Sequence, residues 1–275
     1  MLVLVSTPIG NLKDISLRAI ETLKSADLIL CEDTRISIRL LQTYDIHKQL
    51  VSFHKFNERE KENQIIEKLR EGAIIALITD AGTPGISDPG TKLVKRCKEE
   101  GIKVSAIPGA SALIMALSLY GAEENRFQFI GFMEKKEGEL RNQLIDMLFY
   151  DGISIAYETP HHIAKTLETL TMISPTSELF IARELTKIYE ETIRGTPENL
   201  LTHFEQKPVK GELVLIIEGN KKIKKTEEMS PREYVDFLKE IFHLHEKEAI
   251  KLAANYLEIP KRKLYDDLHR NSSKS

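Results

Sequence analysis

A chain of 275 residues, 41% hydrophobic and 29% charged, has the composition of a folded, water-soluble protein long enough for two domains. No apolar run nears the roughly 20 residues that span a bilayer, and the apolar start Leu2-Val3-Leu4-Val5 stops at Ser6-Thr7-Pro8 with no basic residue before it, so a core strand is expected there, not a signal peptide. Cys31 and Cys97 form no CxxC pair, which excludes a disulfide scaffold or cysteine-built zinc site and points to a reducing cytosol, while a net charge of −3 excludes a bulk pull toward nucleic acid.

The first half alternates two kinds of segment. Residues 2–6, 27–31, 73–79 and 103–107 are continuous apolar runs, as strands buried on both faces require. Between them, residues 17–24, 37–44, 58–71 and 91–100 show helical spacing with charged outer faces. Leu17, Ile20 and Leu23, then Leu93, Val94 and Cys97, supply the inward stripes. That rhythm predicts an α/β fold whose mostly parallel sheet carries helices on both sides. After the apolar stretch 113–119, Tyr120-Gly121-Ala122-Glu123-Glu124-Asn125 reads as a hinge or loop. The second half offers strands at 152–157, 179–183 and 212–218, and a period-two stretch at 189–194 that suits an antiparallel partner. The expected second domain is therefore α/β with a mixed sheet. We place the domains at 1–119, 120–220 and 221–275, the last a lysine-rich linker with a small helical tail.

The tail begins with a recognisable start signal. Ser230 is a good N-cap, Pro231 fits the first helical position and Glu233 completes a capping box. Helices at 231–241, 246–257 and 261–269 follow, the last pair with the outline of a helix-turn-helix. Residues 219–275 carry a net charge of +3 against −6 for the remainder. The basic runs at 221–225 and 261–263 read either as a solvated linker and helix surface or as a footprint for RNA phosphates.

Every strand of the first half ends in a polar turn, the place where open α/β sheets bind ligands. The turns are Ser6-Thr7-Pro8-Ile9-Gly10-Asn11, then Glu32-Asp33-Thr34-Arg35, then the glycine- and proline-rich stretch 79–90, then Pro108-Gly109-Ala110-Ser111-Ala112. Residues 85–92 have the glycine spacing of a phosphate loop, but Thr91-Lys92 inverts its final pair, and Asp88 and Pro89 would repel a phosphate and delete an N–H. A bent, stiff backbone with small hydroxyls such as Thr83 and Ser111 suits a sulfonium cofactor without phosphate, held by main-chain groups. Phe53-His54-Lys55-Phe56-Asn57 could stack a base, or Phe53 and Phe56 could be core and loop. His161-His162 has no third ligand at suitable spacing, and no metal is expected.

Those four turns, in order, with Tyr157-Glu158-Thr159-Pro160-His161, Arg183-Glu184-Leu185-Thr186-Lys187 and Gly211-Glu212-Leu213-Val214-Leu215, resemble the tetrapyrrole methylase superfamily over about residues 1–220. Within it they resemble the branch that 2′-O-methylates a cytidine of 16S ribosomal RNA. The resemblance implies a tetrapyrrole methylase-like fold, a cytoplasmic homodimer acting on 16S rRNA of the small ribosomal subunit, and no membrane association. It implies S-adenosylmethionine, bent in a cleft between two domains, contacted at Pro8, Ala81, Gly82, Thr83, Ile86, Ser111 and Ala112. Glu158 and Leu185 fall at two further contact positions where the residue types differ from the family pattern. For the substrate site, Asp33, Arg35 and Glu184 are the expected catalytic residues, with Asp33, Glu158 and Glu184 as alternative bases. A small-molecule tetrapyrrole methylase is the alternative within the same chemistry. A nucleotide-dependent enzyme and a non-catalytic RNA adaptor are alternatives outside it.

Overall fold

The computed structural model describes residues 1–86, 88–123, 126–206, 210–219 and 229–270. The chain divides into two compact units, one of Met1–Met115 with Glu184–Glu190 and one of Ala116–Arg183 with Glu191–Ser275.

In the first unit, strands β1 (Leu2–Val5), β2 (Leu28–Cys31), β3 (Leu50–Ser52), β4 (Ile75–Leu77) and β5 (Val104–Ile107) form one sheet in the order β3-β2-β4-β1-β5, with every pairing parallel. Helices α1 (Leu17–Ser25), α2 (Thr34–Thr43), α3 (Glu58–Arg70) and α4 (Thr91–Glu99) connect the strands, and α5 (Ala112–Tyr120) follows β5. Side chains alternate across the sheet, so Val3, Val5, Ile29, Ala76 and Ile78 face a layer with Ala19, Leu23 and Leu41 of α1 and α2. Leu2, Leu28, Leu30, Ile75 and Leu77 face the other layer, with Ile65, Ile66 and Leu69 of α3 and Leu93 and Cys97 of α4. Each such aliphatic contributes about 1.5–3 kcal/mol on burial, and burial on both faces is why these strands lack a polar alternate position.

The helix placement fixes where a ligand can bind. Neighbours β1 and β4 send the chain to opposite faces, through α1 on one side and α4 on the other. Their carboxyl ends therefore part at a topological switch point.

In the second unit, β6 (Phe127–Phe132), β7 (Ile153–Glu158), β8 (Leu179–Arg183), β9 (Glu191–Gly195) and β10 (Leu213–Glu218) form a sheet in the order β6-β7-β10-β8-β9. β6 and β7 are parallel and the other pairings antiparallel, the mixed sheet expected, with β9 antiparallel to β8 as its alternation suggests. Helices α6 (Glu137–Phe149), α7 (Ile163–Ile173) and α8 (Pro197–Gln206) belong to this unit. So do α9 (Pro231–Ile241), α10 (Glu246–Tyr256) and α11 (Lys261–Arg270).

The capping box of α9 forms as read: Ser230 Oγ accepts from Glu233 N and Glu233 answers Ser230 N at 2.8 Å. The tail helices do not stand apart. Tyr234, Val235, Leu238, Phe242, Ile250 and Leu264 join the same core as Leu140, Leu144 and Leu167, and Phe149 of α6 stacks obliquely on Phe242 and Tyr256. An Arg141–Glu248 ion pair at 3.0 Å and a Tyr256–Asp146 hydrogen bond tie α6 to α10. The basic run 261–263 opens α11 with all three side chains exposed, while the run at 221–225 lies outside the described residues.

Candidate functional site

Three strand-end turns of the first unit are sewn together at the switch point. Thr7 and Gly82 exchange both backbone hydrogen bonds, Thr7 N to Gly82 O at 2.9 Å and Gly82 N to Thr7 O at 3.2 Å. Gly82 holds φ +83, a left-handed conformation that a side chain would resist. Thr7 Oγ1 donates to Thr79 O at 3.1 Å. From the β5 turn, Ala110 O accepts Thr83 Oγ1 at 3.2 Å, and Ser6 Oγ reaches Ile107 O at 3.1 Å and Thr83 Oγ1 at 3.0 Å. Gly109 is glycine for want of room, since a Cβ there would stand 2.6 Å from Ser6 Cβ.

Pro8, Ala81, Gly82, Thr83, Ser111 and Ala112, expected from the sequence at the cofactor, all lie on these joined turns or the first turn of α5. Pro8 and Gly82 are buried, Ala81, Thr83, Ser111 and Ala112 half-buried, and Ile86 exposed on the same β4 turn. Ser111 Oγ is buried without a hydrogen-bond partner, which costs about 1–3 kcal/mol unless a ligand group answers it.

The fourth component comes from far along the chain. Residues 184–190 belong to the first unit and pack on the β1 turn, where Asn11 N donates to Thr186 Oγ1 at 3.0 Å. A Cβ on Gly10 would meet Lys187 Cγ at 2.5 Å and Leu185 O at 2.9 Å. Leu185 is buried, while Glu184 and Thr186 flank it at φ +51 and +66, conformations that cost non-glycine residues about 1–3 kcal/mol each and persist where the surroundings enforce them. Glu184 Oε1 pairs with Lys187 Nζ at 2.7 Å.

Asp33 and Arg35 stand at the end of β2, but their backbone is the start of a helix, not the turn the sequence suggested. Asp33 caps α2 by accepting Arg35 N at 2.8 Å, and its carboxylate grips the Arg35 side chain through Nε at 3.0 Å and Nη2 at 2.6 Å. These bonds, chiefly those from the Arg35 side chain, hold the Asp33 carboxyl down to about 2. So held, Asp33 is a weak proton acceptor and a strong orienter, and the Arg35 guanidinium it aims is 87% exposed. Asp80, at the end of β4, steadies the pair by accepting Asp33 N at 3.1 Å.

Sequence reasoning did not single out the electrostatics of this edge. Burial pushes the Glu32, Asp80 and Asp88 carboxyls above their ordinary range; Glu32 is raised further by Asp80 and Asp88, and Asp88 by Asp80. Lys55 opposes the rise at Glu32 and Asp88. Crowded, poorly solvated carboxylates favour a cationic ligand and repel a triphosphate. The signal was present as the acids of the β2 and β4 turns, but burial is not legible in a turn.

Glu158 lies in the second unit at the end of β7, and its oxygens are already engaged. It accepts Thr159 N, His162 Nδ1 at 2.9 Å and Thr166 Oγ1, which braces the start of α7. In the same unit Arg183 pairs with Glu191 at 2.8 Å, a strand-end ion pair.

Comparison with known proteins agrees with this geometry. A family model described as Tetrapyrrole (Corrin/Porphyrin) Methylases matches residues 1–201. The chain is 42% identical over 274 residues to a Halalkalibacterium halodurans protein named "Ribosomal RNA small subunit methyltransferase I", covering 98% of this chain and 94% of that one. A Bacillus subtilis protein of the same name is 39% identical, with the same coverage. Among solved structures, diphthine synthase aligns with a TM-score of 0.61 at 16% identity, over 80% of this chain and 90% of that one, a likeness of fold alone.

Proposed function

The chain belongs to the tetrapyrrole (corrin/porphyrin) methylases, and from that premise we propose that it is an S-adenosylmethionine-dependent methyltransferase that 2′-O-methylates a cytidine ribose in small-subunit ribosomal RNA. The observation that carries the reading is the joined set of turns at the β1–β4 switch point. It offers peptide groups, small hydroxyls and desolvated carboxylates to a ligand with positive charge and no phosphate. The choice of RNA over a tetrapyrrole rests on relatives of nearly full length whose names specify ribosomal RNA.

S-adenosylmethionine, when bound, supplies an electrophilic methyl group. Gly82, Thr83, Ser111 and the neighbouring Pro8, Ala81, Ile86 and Ala112 hold it, with Ser111 Oγ gaining the partner it lacks. Leu185 adds a buried apolar wall. Glu158 acts through the turn it braces and not with a spare oxygen. Arg35, aimed by Asp33, offers a bidentate guanidinium to an RNA phosphate. Glu184 takes the proton of the ribose hydroxyl. Correct alignment of the 2′-oxygen accounts for up to about 7–11 kcal/mol of the barrier reduction.

Mapping methylated nucleosides in rRNA from cells with and without the protein tests the reading. A 2′-O-methylcytidine of the small subunit should vanish with the protein. The purified chain should pass labelled methyl groups to small subunits lacking that mark and not to a porphyrinoid. Transfer to the porphyrinoid, or an unchanged rRNA map, would remove the RNA assignment.

The active form is a homodimer. α5 has no charged residue in nine positions and leaves Ile114, Met115 and Leu119 exposed, a face that a second copy would cover. Light scattering should return twice 31.4 kDa, and a monomer mass at micromolar concentration would dismiss the dimer. No helix among the described residues is long and apolar enough to cross a membrane.

A further inference from the structure

The connection between β3 and α3 presents an aromatic ring that no packing explains. Phe53 is in the core at 0% exposure, but Phe56, three residues on, is 97% exposed and lies T-shaped to His54, ring centroids 6.0 Å apart. A free apolar ring on a floppy loop would be unremarkable. This turn is fixed at both ends.

Asn57 Oδ1 accepts His54 N at 2.8 Å, and Asn57 Nδ2 and Lys61 Nζ both donate to Ser52 O, at 3.1 and 2.8 Å. His54 O receives Asn57 N and Glu58 N at 3.0 and 2.9 Å. Glu58 is buried, and its carboxylate accepts Gly90 N at 3.3 Å, which ties the turn to the start of α4. The backbone is thus preorganised, so a partner meeting Phe56 pays little ordering entropy.

The surroundings of the ring indicate its partner. Lys55 precedes it directly and Arg59 stands three residues on, both exposed, with Glu60 on the following position. A protein partner seeks a contiguous apolar patch, whereas one exposed ring next to a lysine suits a base with its neighbouring phosphate. The turn also stands at the carboxyl edge of the sheet, because β3 runs parallel to β2, and Lys55 is close enough to Glu32 and Asp88 to influence their ionisation. Resting on the reading of this chain as an RNA methyltransferase, we propose that the β3–α3 turn is a nucleobase-stacking platform, with Phe56 the stacking ring and Lys55 the charge that meets the adjoining phosphate.

Steady-state methylation of small subunits purified from cells lacking the protein tests the platform. Phe56→Ala should raise KM for subunits roughly 5- to 150-fold, the worth of one base–aromatic stack, with kcat and calorimetric S-adenosylmethionine affinity unchanged. Phe56→Trp should restore KM and Phe56→Leu should not. Ultraviolet irradiation of the enzyme–subunit complex should leave a nucleotide adduct on the peptide containing Phe56. An unchanged KM in Phe56→Ala, rescue by Leu, or a cross-link from that peptide to protein would each overturn the platform. An active parent with an unaffected Phe56→Ala removes this inference alone, while a parent that transfers no methyl to subunits removes the RNA reading with it.

Discussion

Replacing Glu184 with Gln is expected to lower kcat by roughly 10²–10⁴-fold, the usual worth of a positioned base, while S-adenosylmethionine affinity is unchanged. The substitution keeps shape and removes only the ability to take a proton. Two features single out this carboxylate. It sits in a segment packed on the β1 turn and flanking a buried leucine, and its backbone is held at φ +51. Asp33, the competing acid, is already bound to Arg35 and held at about 2, a poor acceptor at neutral pH. Lys187→Met separates proton transfer from mere placement. Loss of the 2.7 Å ion pair should loosen Glu184 and lower kcat by less than loss of the carboxylate itself. Single-turnover rates measure both. If Glu184→Gln methylates as fast as the parent, Glu184 takes no proton.

Gly109→Ala is expected to weaken S-adenosylmethionine binding about 5- to 150-fold, the equivalent of the ~1–3 kcal/mol that overpacking costs. A single methyl is enough because its position, 2.6 Å from Ser6 Cβ, is already taken by a buried residue. Neither turn can yield alone. Moving Ser6 breaks its bonds to Ile107 O and Thr83 Oγ1, and Thr83 carries the Ala110 contact with it. The remedy is specific: Ser6→Gly removes the Cβ that clashes, so the double variant should bind more tightly than Gly109→Ala alone. Calorimetry on the four proteins of that cycle decides it. Additive losses would mean that the two turns do not share the strain.

Much of the first unit was legible because β1, β2 and β4 are buried on both faces, whereas β5, read as buried too, leaves Ser105 and Ala106 exposed. A run such as Leu28-Ile29-Leu30-Cys31 has no polar alternate and is hard to misread. β3 was not read, for it is three half-buried residues at the sheet edge. β6 was hidden in the same way, since its register shifts between Phe129 and Gly131 and Gly131 takes φ +86. The start of α2 was placed three residues late because Asp33 serves as an N-cap, a role that in sequence resembles a turn. The β1, β4 and β5 turns were legible as turns because of their glycines, prolines and small hydroxyls, and the structure joins them. What no local pattern reveals is partnership over distance. That residues 184–190 fold with the first unit, and that Glu158 spends its oxygens on α7, depends on neighbours remote in sequence or set by the sheet.

The order in which the first sheet is assembled has a consequence for synthesis. β1 leaves the ribosome before its partners β4 and β5, where Leu2 stands opposite Ile75 and Val104. At about 5–20 residues per second, the first strand waits on the order of 4–15 s for its nearest partner, an apolar ribbon with both edges open. The full set of joined turns waits longer still, since the segment that packs on Gly10 is translated after residue 183. A nascent chain shorter than that can hold the sheet but not the methyl donor, so donor-dependent protection from proteolysis should begin only once that segment has emerged.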